Sequence, residues 1–135
     1  MFTSSPLIAV VDDDRAVVQL VTAFLDAQGY RTISCLHGTG AIAFIESVRP
    51  DLVLLDIQME QWDTGLKVLA GLRQHVATRS LRVIVCSANL PVLRQQEQRI
   101  RSLGAEILEK PYTFDTLLTK VDAALGRPPH LTPTL

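Results

Sequence analysis

The segment Asp51–Asp56, with the sequence Asp-Leu-Val-Leu-Leu-Asp, constrains the fold more than any other stretch of the chain. An apolar run that follows Pro50 and ends at a carboxylate is typical of a short strand buried on both faces. Asp56 would then lie at the carboxyl end of a central strand, the edge at which ligands bind in open α/β sheets. Because a lone aspartate here is more often a simple strand or turn cap, the rest of the chain must decide its role.

Four other segments are predicted to be strands, namely Leu7–Val11, Arg31–Cys35, Arg82–Cys86 and Ala105–Glu109. Between them the apolar spacing changes to the helical period, which predicts helices over 15–28, 38–49, 64–74, 89–103 and 113–125. The first helix is expected to bury Val17, Leu20, Val21 and Phe24, and the last to bury Phe114, Leu117, Leu118, Val121 and Leu125.

Alternation of five strands with five helices predicts a doubly wound α/β fold, a (βα)5 unit with a parallel sheet. The flavodoxin-like strand order 2-1-3-4-5 is the natural choice, and it places the first and third strands side by side. The fold is expected to occupy residues 1–126 as one domain. Residues 127–135 form a Pro-rich tail, and no effector domain is expected.

In this topology three carboxylates, those of Asp12, Asp13 and Asp56, meet at one edge of the sheet. Such carboxylates repel one another unless a cation or a proton intervenes. Oxygen ligands without histidine or thiolate favour Mg²⁺, with Mn²⁺ as an acceptable substitute. A carboxylate beside this ion could attack a phosphoryl group, with Lys110 as the cation for the phosphoryl oxygens and Ser87 as a hydroxyl donor.

The chain resembles the receiver domain of bacterial two-component response regulators over about residues 6–125. The resemblance rests on Val-Val-Asp-Asp-Asp at 10–14, Asp-Leu-Val-Leu-Leu-Asp at 51–56, Val-Cys-Ser-Ala at 85–88 and Glu-Lys-Pro-Tyr at 109–112. Each motif is weak alone, but all four stand in order at the exits of predicted strands.

The resemblance implies a role for each site residue. Asp56 would be the phosphoacceptor, while Asp12, Asp13 and the backbone carbonyl of Gln58 would hold the magnesium with it. Ser87 and Lys110 would contact the phosphoryl group. Simpler roles remain open: a strand terminator for Ser87, a surface lysine for Lys110, and helix caps for Asp14 and Asp63.

The chain departs from the family pattern at two places. After the phosphoacceptor, Glu60 stands where proline is expected and Thr64 is inserted between Asp63 and Gly65, which predicts a longer, less rigid loop. Three residues before Lys110, Ile107 occupies the switch position where receivers usually have tyrosine or phenylalanine. The aromatic switch that transmits phosphorylation in many relatives is therefore not implied for this chain.

The resemblance implies a receiver that is switched by phosphorylation. A sensor histidine kinase or a phosphotransfer protein would supply the phosphoryl group. The receiver would not be an enzyme in the ordinary sense, because it catalyses only its own phosphorylation and dephosphorylation. Output would pass to an unknown partner protein, through the face of the fourth helix, last strand and last helix, where a homodimer is also an option.

The sequence also leaves two other classes of function open. One is a degenerate receiver that acts as a constitutive binding module without phosphorylation, although the intact site residues disfavour it. The other, a phosphohydrolase with an aspartyl nucleophile, is disfavoured because position 58 is Gln, where a general acid would be needed.

Composition and charge exclude few functions, but they indicate the compartment in which the protein is expected. The formal net charge of -1 and the lack of a recognition-helix pattern argue against direct DNA binding. Neither a long apolar stretch nor a signal peptide is visible, so a cytoplasmic protein without membrane association is expected. Cys35 and Cys86 are predicted to be buried and reduced.

Overall fold

The computed structural model of this chain describes residues 5–128, which form one five-stranded parallel sheet covered by helices on both faces. The strands are β1 (Leu7–Val11), β2 (Arg31–Cys35), β3 (Leu52–Asp56), β4 (Arg82–Ser87) and β5 (Glu106–Glu109). The helices are α1 (Arg15–Ala27), α2 (Ala41–Val48), α3 (Thr64–Gln74), α4 (Leu90–Ser102) and α5 (Phe114–Ala124).

The strand order is β2-β1-β3-β4-β5, which confirms the predicted flavodoxin-like topology. The register pairs Val11 with Leu55 and Asp56 with Cys86. The carboxyl ends of β1 and β3 are thus adjacent at the point where the strand order reverses. The residues that follow these two strands are thereby brought to the same edge.

Alternate residues of the central strands face two separate hydrophobic clusters. Ala9, Val11, Val53 and Leu55 join the first cluster, which α2, α3 and α4 cover. Ile8, Val10, Leu52 and Leu54 join the second, which α1 and α5 cover. Every apolar residue of β3 is buried, as expected of a strand with helices on both faces.

Two side chains predicted to be buried are exposed. Leu20 is 62% exposed, because the buried face of α1 is formed by Val18, Val21 and Leu25, and a neighbouring residue is rotated by about 100° from that face. Phe114 is 42% exposed, since it begins α5 and stacks on Phe24 with ring centroids 4.4 Å apart.

Two smaller predictions also need correction. Cys86 is buried, but Cys35 is only partly buried because it ends the edge strand β2. Asp63 precedes α3 without making a side-chain capping bond, and its carboxylate lies 3.7 Å from Lys67 Nζ instead. By contrast, Asp14 caps α1 as predicted, and Asn89 caps α4; their side-chain oxygens accept from Ala16 N and Val92 N.

None of the helices within residues 5–128 has the length and apolar character needed to cross a membrane. Most of the Pro-rich tail predicted at 127–135 lies outside the described residues, and the absence of an effector domain stays a prediction.

Candidate functional site

Three carboxylates converge at the carboxyl edge of the sheet, as the sequence predicted. Oxygen atoms of Asp12, Asp13 and Asp56 all lie within 4.8 Å of one another. Asp12 and Asp13 directly follow β1, and Asp56 is the last residue of β3. Asp12 is buried, Asp56 is partly buried and Asp13 is exposed, so the cluster opens to solvent on one side.

Lys110 enters the cluster from the end of β5. Its Nζ donates to Asp12 Oδ2 at 2.8 Å and lies 3.6 Å from Asp56 Oδ1. Its side chain is only 19% exposed, so a role as an ordinary surface lysine is excluded. The backbone N–H of Lys110 donates to the carbonyl of Ser87 at 2.9 Å, and a cis peptide bond joins Lys110 to Pro111.

The electrostatics of the cluster are those of an incompletely neutralised acidic site. Burial raises the pKa of Asp56 to about 6; Lys110 opposes this rise, whereas Asp12 and Asp13 add to it. Burial by itself lowers the pKa of Lys110, but the hydrogen bond to Asp12 and the nearby carboxylate charges raise it above its ordinary value. Lys110 therefore remains an ammonium ion at neutral pH and leaves part of the negative charge unbalanced.

Ser87 is buried at the end of β4, and its Oγ accepts a hydrogen bond from the Asn89 N–H at 3.0 Å. This bond uses a lone pair, so the hydroxyl proton stays available for donation. Ser87 also lines a cavity of about 270 Å³ shared with Asp13, Asp56, Gln58, Met59, Ala88, Asn89 and Lys110. Both roles suggested by the sequence, strand terminator and site hydroxyl, are compatible with this position.

Asp12 is oriented by the first turn after β1. Its Oδ1 accepts from the Asp14 N–H at 3.0 Å, while Asp14 Oδ1 caps α1 by accepting from Ala16 N at 3.0 Å and Val17 N at 3.3 Å. Asp14 is thus a helix cap that also supports the site through its backbone.

The loop after β3 brings Gln58 to the wall of the cavity. Ile57 is buried and its N–H donates to the Cys86 carbonyl, while its own carbonyl accepts from Gly65 N at 2.7 Å. A Cβ on Gly65 would lie 2.1 Å from the Asp56 carbonyl oxygen, so only glycine permits this approach. The role of the Gln58 carbonyl as a metal ligand stays a prediction.

Ile107 is partly buried, contacts the first hydrophobic cluster and pairs in register with Val85. It lines a groove of about 450 Å³ between α4, β5 and α5. Tyr112 packs against the second hydrophobic cluster, and burial raises its pKa to about 12.

Sequence reasoning missed how the site loop is held. The sequence shows Glu60 only as a replacement for proline, whereas in the structure its carboxylate accepts from the backbone N–H groups of Gly38 and Thr39. An acidic residue within a few positions of the site was a visible signal. Its partners, about twenty residues away in sequence, were not visible.

The donor set fits a hard divalent cation. Carboxylate oxygens, with no histidine or thiolate among them, are the ligands that Mg²⁺ prefers. Three carboxylates face the single ammonium group of Lys110, so the cluster holds more negative charge than Lys110 offsets. A cation between these oxygens would relieve that repulsion.

Fold and site together define a doubly wound α/β protein with an acidic cation site at the switch point of its sheet. The family model for the response regulator receiver domain matches residues 8–122, and the chain therefore belongs to this family of two-component signalling domains. Receiver domains bind Mg²⁺ at an acidic pocket and interact with histidine kinases or phosphotransfer proteins.

Individual relatives agree with this assignment. The polar-differentiation response regulator DivK of Brucella anthropi is 30% identical, with 88% of this chain and 95% of that protein aligned. The response regulator MprA of Mycolicibacterium vanbaalenii is 36% identical, with 89% of this chain and 50% of that protein aligned. The structure of the Vibrio cholerae chemotaxis protein CheY4 superposes with a TM-score of 0.80 at 22% identity, covering 90% of this chain and 99% of that one.

The lengths of these relatives differ. The chain spans about half the length of MprA and of the Synechocystis transcriptional regulator RpaA, and nearly all of DivK.

Proposed function

We propose that this receiver accepts a phosphoryl group on Asp56 from a sensor histidine kinase or phosphotransfer protein. In this transfer the P–N bond of the donor phosphohistidine breaks and a P–O bond to the Asp56 carboxylate forms. The carboxylate is the nucleophile and the donor imidazole is the leaving group. The single observation that supports this role is the meeting of Asp12, Asp13, Asp56 and Lys110 at one solvent-accessible edge.

Each neighbouring residue has a defined task in this proposal. Asp12, Asp13, Asp56 and the Gln58 carbonyl hold the divalent cation, which is Mg²⁺ or in its place Mn²⁺. When bound, this ion would neutralise charge on the phosphoryl oxygens. Lys110 supplies a second positive charge, since its Nζ already lies 3.6 Å from the Asp56 carboxylate.

Ser87 would respond to phosphorylation of Asp56. Its hydroxyl lines the same cavity as Asp56 and can donate its proton to a phosphoryl oxygen, and rotation of the side chain toward that oxygen would change the bond that Ser87 Oγ accepts from the Asn89 N–H. Because Asn89 caps α4, rearrangement of Ser87 would act directly on the start of that helix. This connection would carry the signal to α4 although Ile107 cannot act as an aromatic switch.

The chain catalyses its own phosphorylation and dephosphorylation in this proposal, and no reaction on a separate substrate. The output partner is a protein that binds the groove between α4, β5 and α5, and homodimerisation would use the same face. The groove carries Arg94, Arg101 and Lys120 beside Glu97 and Glu109, so it offers both charge signs to a partner.

The direct test uses acetyl phosphate as a small phosphodonor, with intact-protein mass spectrometry as the readout. In the presence of Mg²⁺ we expect the wild type to gain the mass of one phosphoryl group, and EDTA to prevent this gain. Asp56→Asn should gain no mass. Labelling of Asp56→Asn equal to the wild type would disprove the assignment of the phosphoacceptor.

The same experiment addresses the alternative of a degenerate receiver. A wild-type protein that binds Mg²⁺ but is never labelled would favour a constitutive binding module. A pull-down with and without beryllofluoride and Mg²⁺ then identifies partners that depend on the activated state.

A further inference from the structure

The carboxylate of Glu60 joins two loops that border the site. Glu60 lies in the loop 57–63 between β3 and α3, the same loop that carries Gln58. Its Oε1 accepts from the Gly38 N–H at 2.9 Å, and its Oε2 accepts from the Thr39 N–H at 2.9 Å and the Thr39 hydroxyl at 3.1 Å. Gly38 and Thr39 belong to the turn between β2 and α2, so the bonds cross from one loop to the other.

All three bonds end on the carboxylate oxygens of Glu60, at 2.9 to 3.1 Å. Hydrogen bonds to an ionised acceptor are roughly twice as strong as those between neutral groups.

Thr64, the inserted residue, contacts the same glycine. A Cβ on Gly38 would lie 2.2 Å from Thr64 Cγ2 and 3.4 Å from Met59 Cε, so the two loops pack as closely as a glycine allows. Thr64 Oγ1 in turn accepts from Gln61 N at 2.9 Å. The two residues that distinguish this loop from the family pattern therefore both act at Gly38.

The loop contains no proline between Ile57 and Thr64. Apart from the bonds at Ile57 and Gly65, its backbone hydrogen bonds are local. Met59 N donates to the Gln61 carbonyl at 3.1 Å and Thr64 N donates to the same carbonyl at 3.4 Å. Such local bonds shape the loop but do not attach it to the rest of the domain. Beyond the anchors at Ile57 and Gly65, the buried side chain of Met59 packs in the first hydrophobic cluster, and polar attachment comes from Glu60.

We propose that Glu60 is a positioning residue for the magnesium site, which attaches the Gln58-bearing loop to the turn at Gly38 and Thr39 and so replaces the missing proline. The proposal rests on the function proposed above, because it concerns the carbonyl that completes that site. Without Glu60 the loop would sample more conformations, and ordering the Gln58 carbonyl on the cation would cost conformational entropy.

The test compares Mg²⁺ binding by the wild type with binding by Glu60→Gln, using calorimetric titration with MgCl₂. Glutamine has one acceptor oxygen, and its amide group would face a backbone N–H, so at least one bond across the loops is lost. We expect the Kd for Mg²⁺ to rise about three- to tenfold, at the low end of outer-shell effects because Glu60 is exposed.

Glu97→Gln is the matched control, because Glu97 is an exposed acid that pairs with Arg101 on α4. It changes the net charge equally and should bind Mg²⁺ as the wild type does. Trp62, the single tryptophan of the chain, is 53% exposed in the same loop and reports its state by fluorescence. We expect the spectrum of Trp62 to differ in Glu60→Gln and to be unchanged in Glu97→Gln.

A second pair of variants tests the attachment without removing any charge. Gly38→Ala places a Cβ against Thr64 Cγ2 and should weaken Mg²⁺ binding in the same range. Thr64→Ser deletes that methyl group while keeping the hydroxyl, so the double variant Gly38→Ala/Thr64→Ser should recover most of the affinity. Thermal unfolding of the same variants must show that each is folded at the temperature of the titration, so that the loss and recovery of affinity report the loop and not unfolded protein.

The outcomes separate this inference from the function on which it rests. If the wild type binds Mg²⁺ and Glu60→Gln binds it with the same Kd, the positioning role is disproved while the proposed function stands. A change in Tm without a change in Kd would also disprove it. If the wild type binds no Mg²⁺, both proposals are overturned together.

Discussion

The ammonium group of Lys110 donates to the carboxylate of Asp12 at 2.8 Å, although 98 residues separate the two along the chain. The bond holds the positive charge of Lys110, which follows β5, against the carboxylate of Asp12, which follows β1. Lys110 thus offsets part of the acidic charge and also competes with any cation that binds the same oxygens. Removal of Lys110 should therefore strengthen Mg²⁺ binding and slow phosphorylation.

Lys110→Met should bind Mg²⁺ about three- to tenfold more tightly than the wild type, because a positive charge a few ångströms from the ion is removed. Phosphorylation by acetyl phosphate should nevertheless slow by on the order of 100-fold, since the charge that stabilises the transferring group is lost. Calorimetric Mg²⁺ titration and the time course of the mass gain measure the two effects. The charge-matched control is Lys120→Met, because Lys120 belongs to α5 and lines the groove. Equal tightening in both variants would mean that only net charge matters.

Asp56→Asn should stabilise the protein in EDTA at neutral pH. The pKa of Asp56 is raised to about 6 in the folded protein, above its ordinary value of 3.8. At this group the folded state therefore binds more protons than the unfolded state between these values, so the contribution of Asp56 to stability is most favourable below about pH 4 and is lost as the pH rises through 6. At pH 7 to 8 the variant avoids this loss and should gain about 1 to 2 kcal/mol, after allowance for solvent screening.

Thermal unfolding of both proteins in EDTA from pH 4 to pH 8 measures this difference. The two values of Tm should approach each other near pH 4 and separate by about 3 to 8 °C above pH 6. Added Mg²⁺ should reverse the order, because the wild type gains more from the cation. A constant separation across the pH range would refute the raised pKa as its cause.

Gly65→Ala should destabilise the domain by about 3 kcal/mol or more, because the added Cβ would lie 2.1 Å from the Asp56 carbonyl oxygen and 2.6 Å from Ile57 Cα. Both atoms are backbone and cannot move without displacing the site. Gly71→Ala is the matched control, since its Cβ would meet only the far end of the Ile42 side chain. We expect urea unfolding to show a change within about 1 kcal/mol for Gly71→Ala. Similar losses in both variants would contradict this distinction.

The two tyrosines of the chain should resist ionisation at high pH. Burial raises the pKa of Tyr30 to about 12, aided by its hydrogen bond to the buried Asp122, and burial raises that of Tyr112 to about 12 as well. Tyrosinate absorbance should therefore develop near pH 12 in the native protein and near pH 10 in urea. Since both folded values exceed the unfolded one, their contribution to stability is present below pH 10 and is lost as the pH rises toward 12.

Tyr30→Phe should halve the native absorbance change and cost about 1 to 2 kcal/mol of unfolding free energy through loss of the bond to Asp122. Titration of either tyrosine near pH 10 in the folded protein would contradict its burial.

The sequence by itself determined the strand order and the convergence of Asp12, Asp13 and Asp56. Apolar runs that end in carboxylates locate the exits of buried strands, and parallel topology places the exits of neighbouring strands at one edge. The helix caps at Asp14 and Asn89 were also predictable, because a capping bond spans only two or three residues. These features depend on local chemistry and on a small set of permitted topologies.

Only the tertiary structure decided which side chains were exposed at the helix margins, as at Leu20 and Phe114, because that depends on how each helix is rotated against the sheet. The attachment of Glu60 to Gly38 and Thr39, and of Lys110 to Asp12, was likewise decided there. Apolar periodicity indicates which face a segment buries, but the hydrogen-bond partner of a polar side chain in a loop depends on distance and direction. Those are set only after all the strands and helices have packed together.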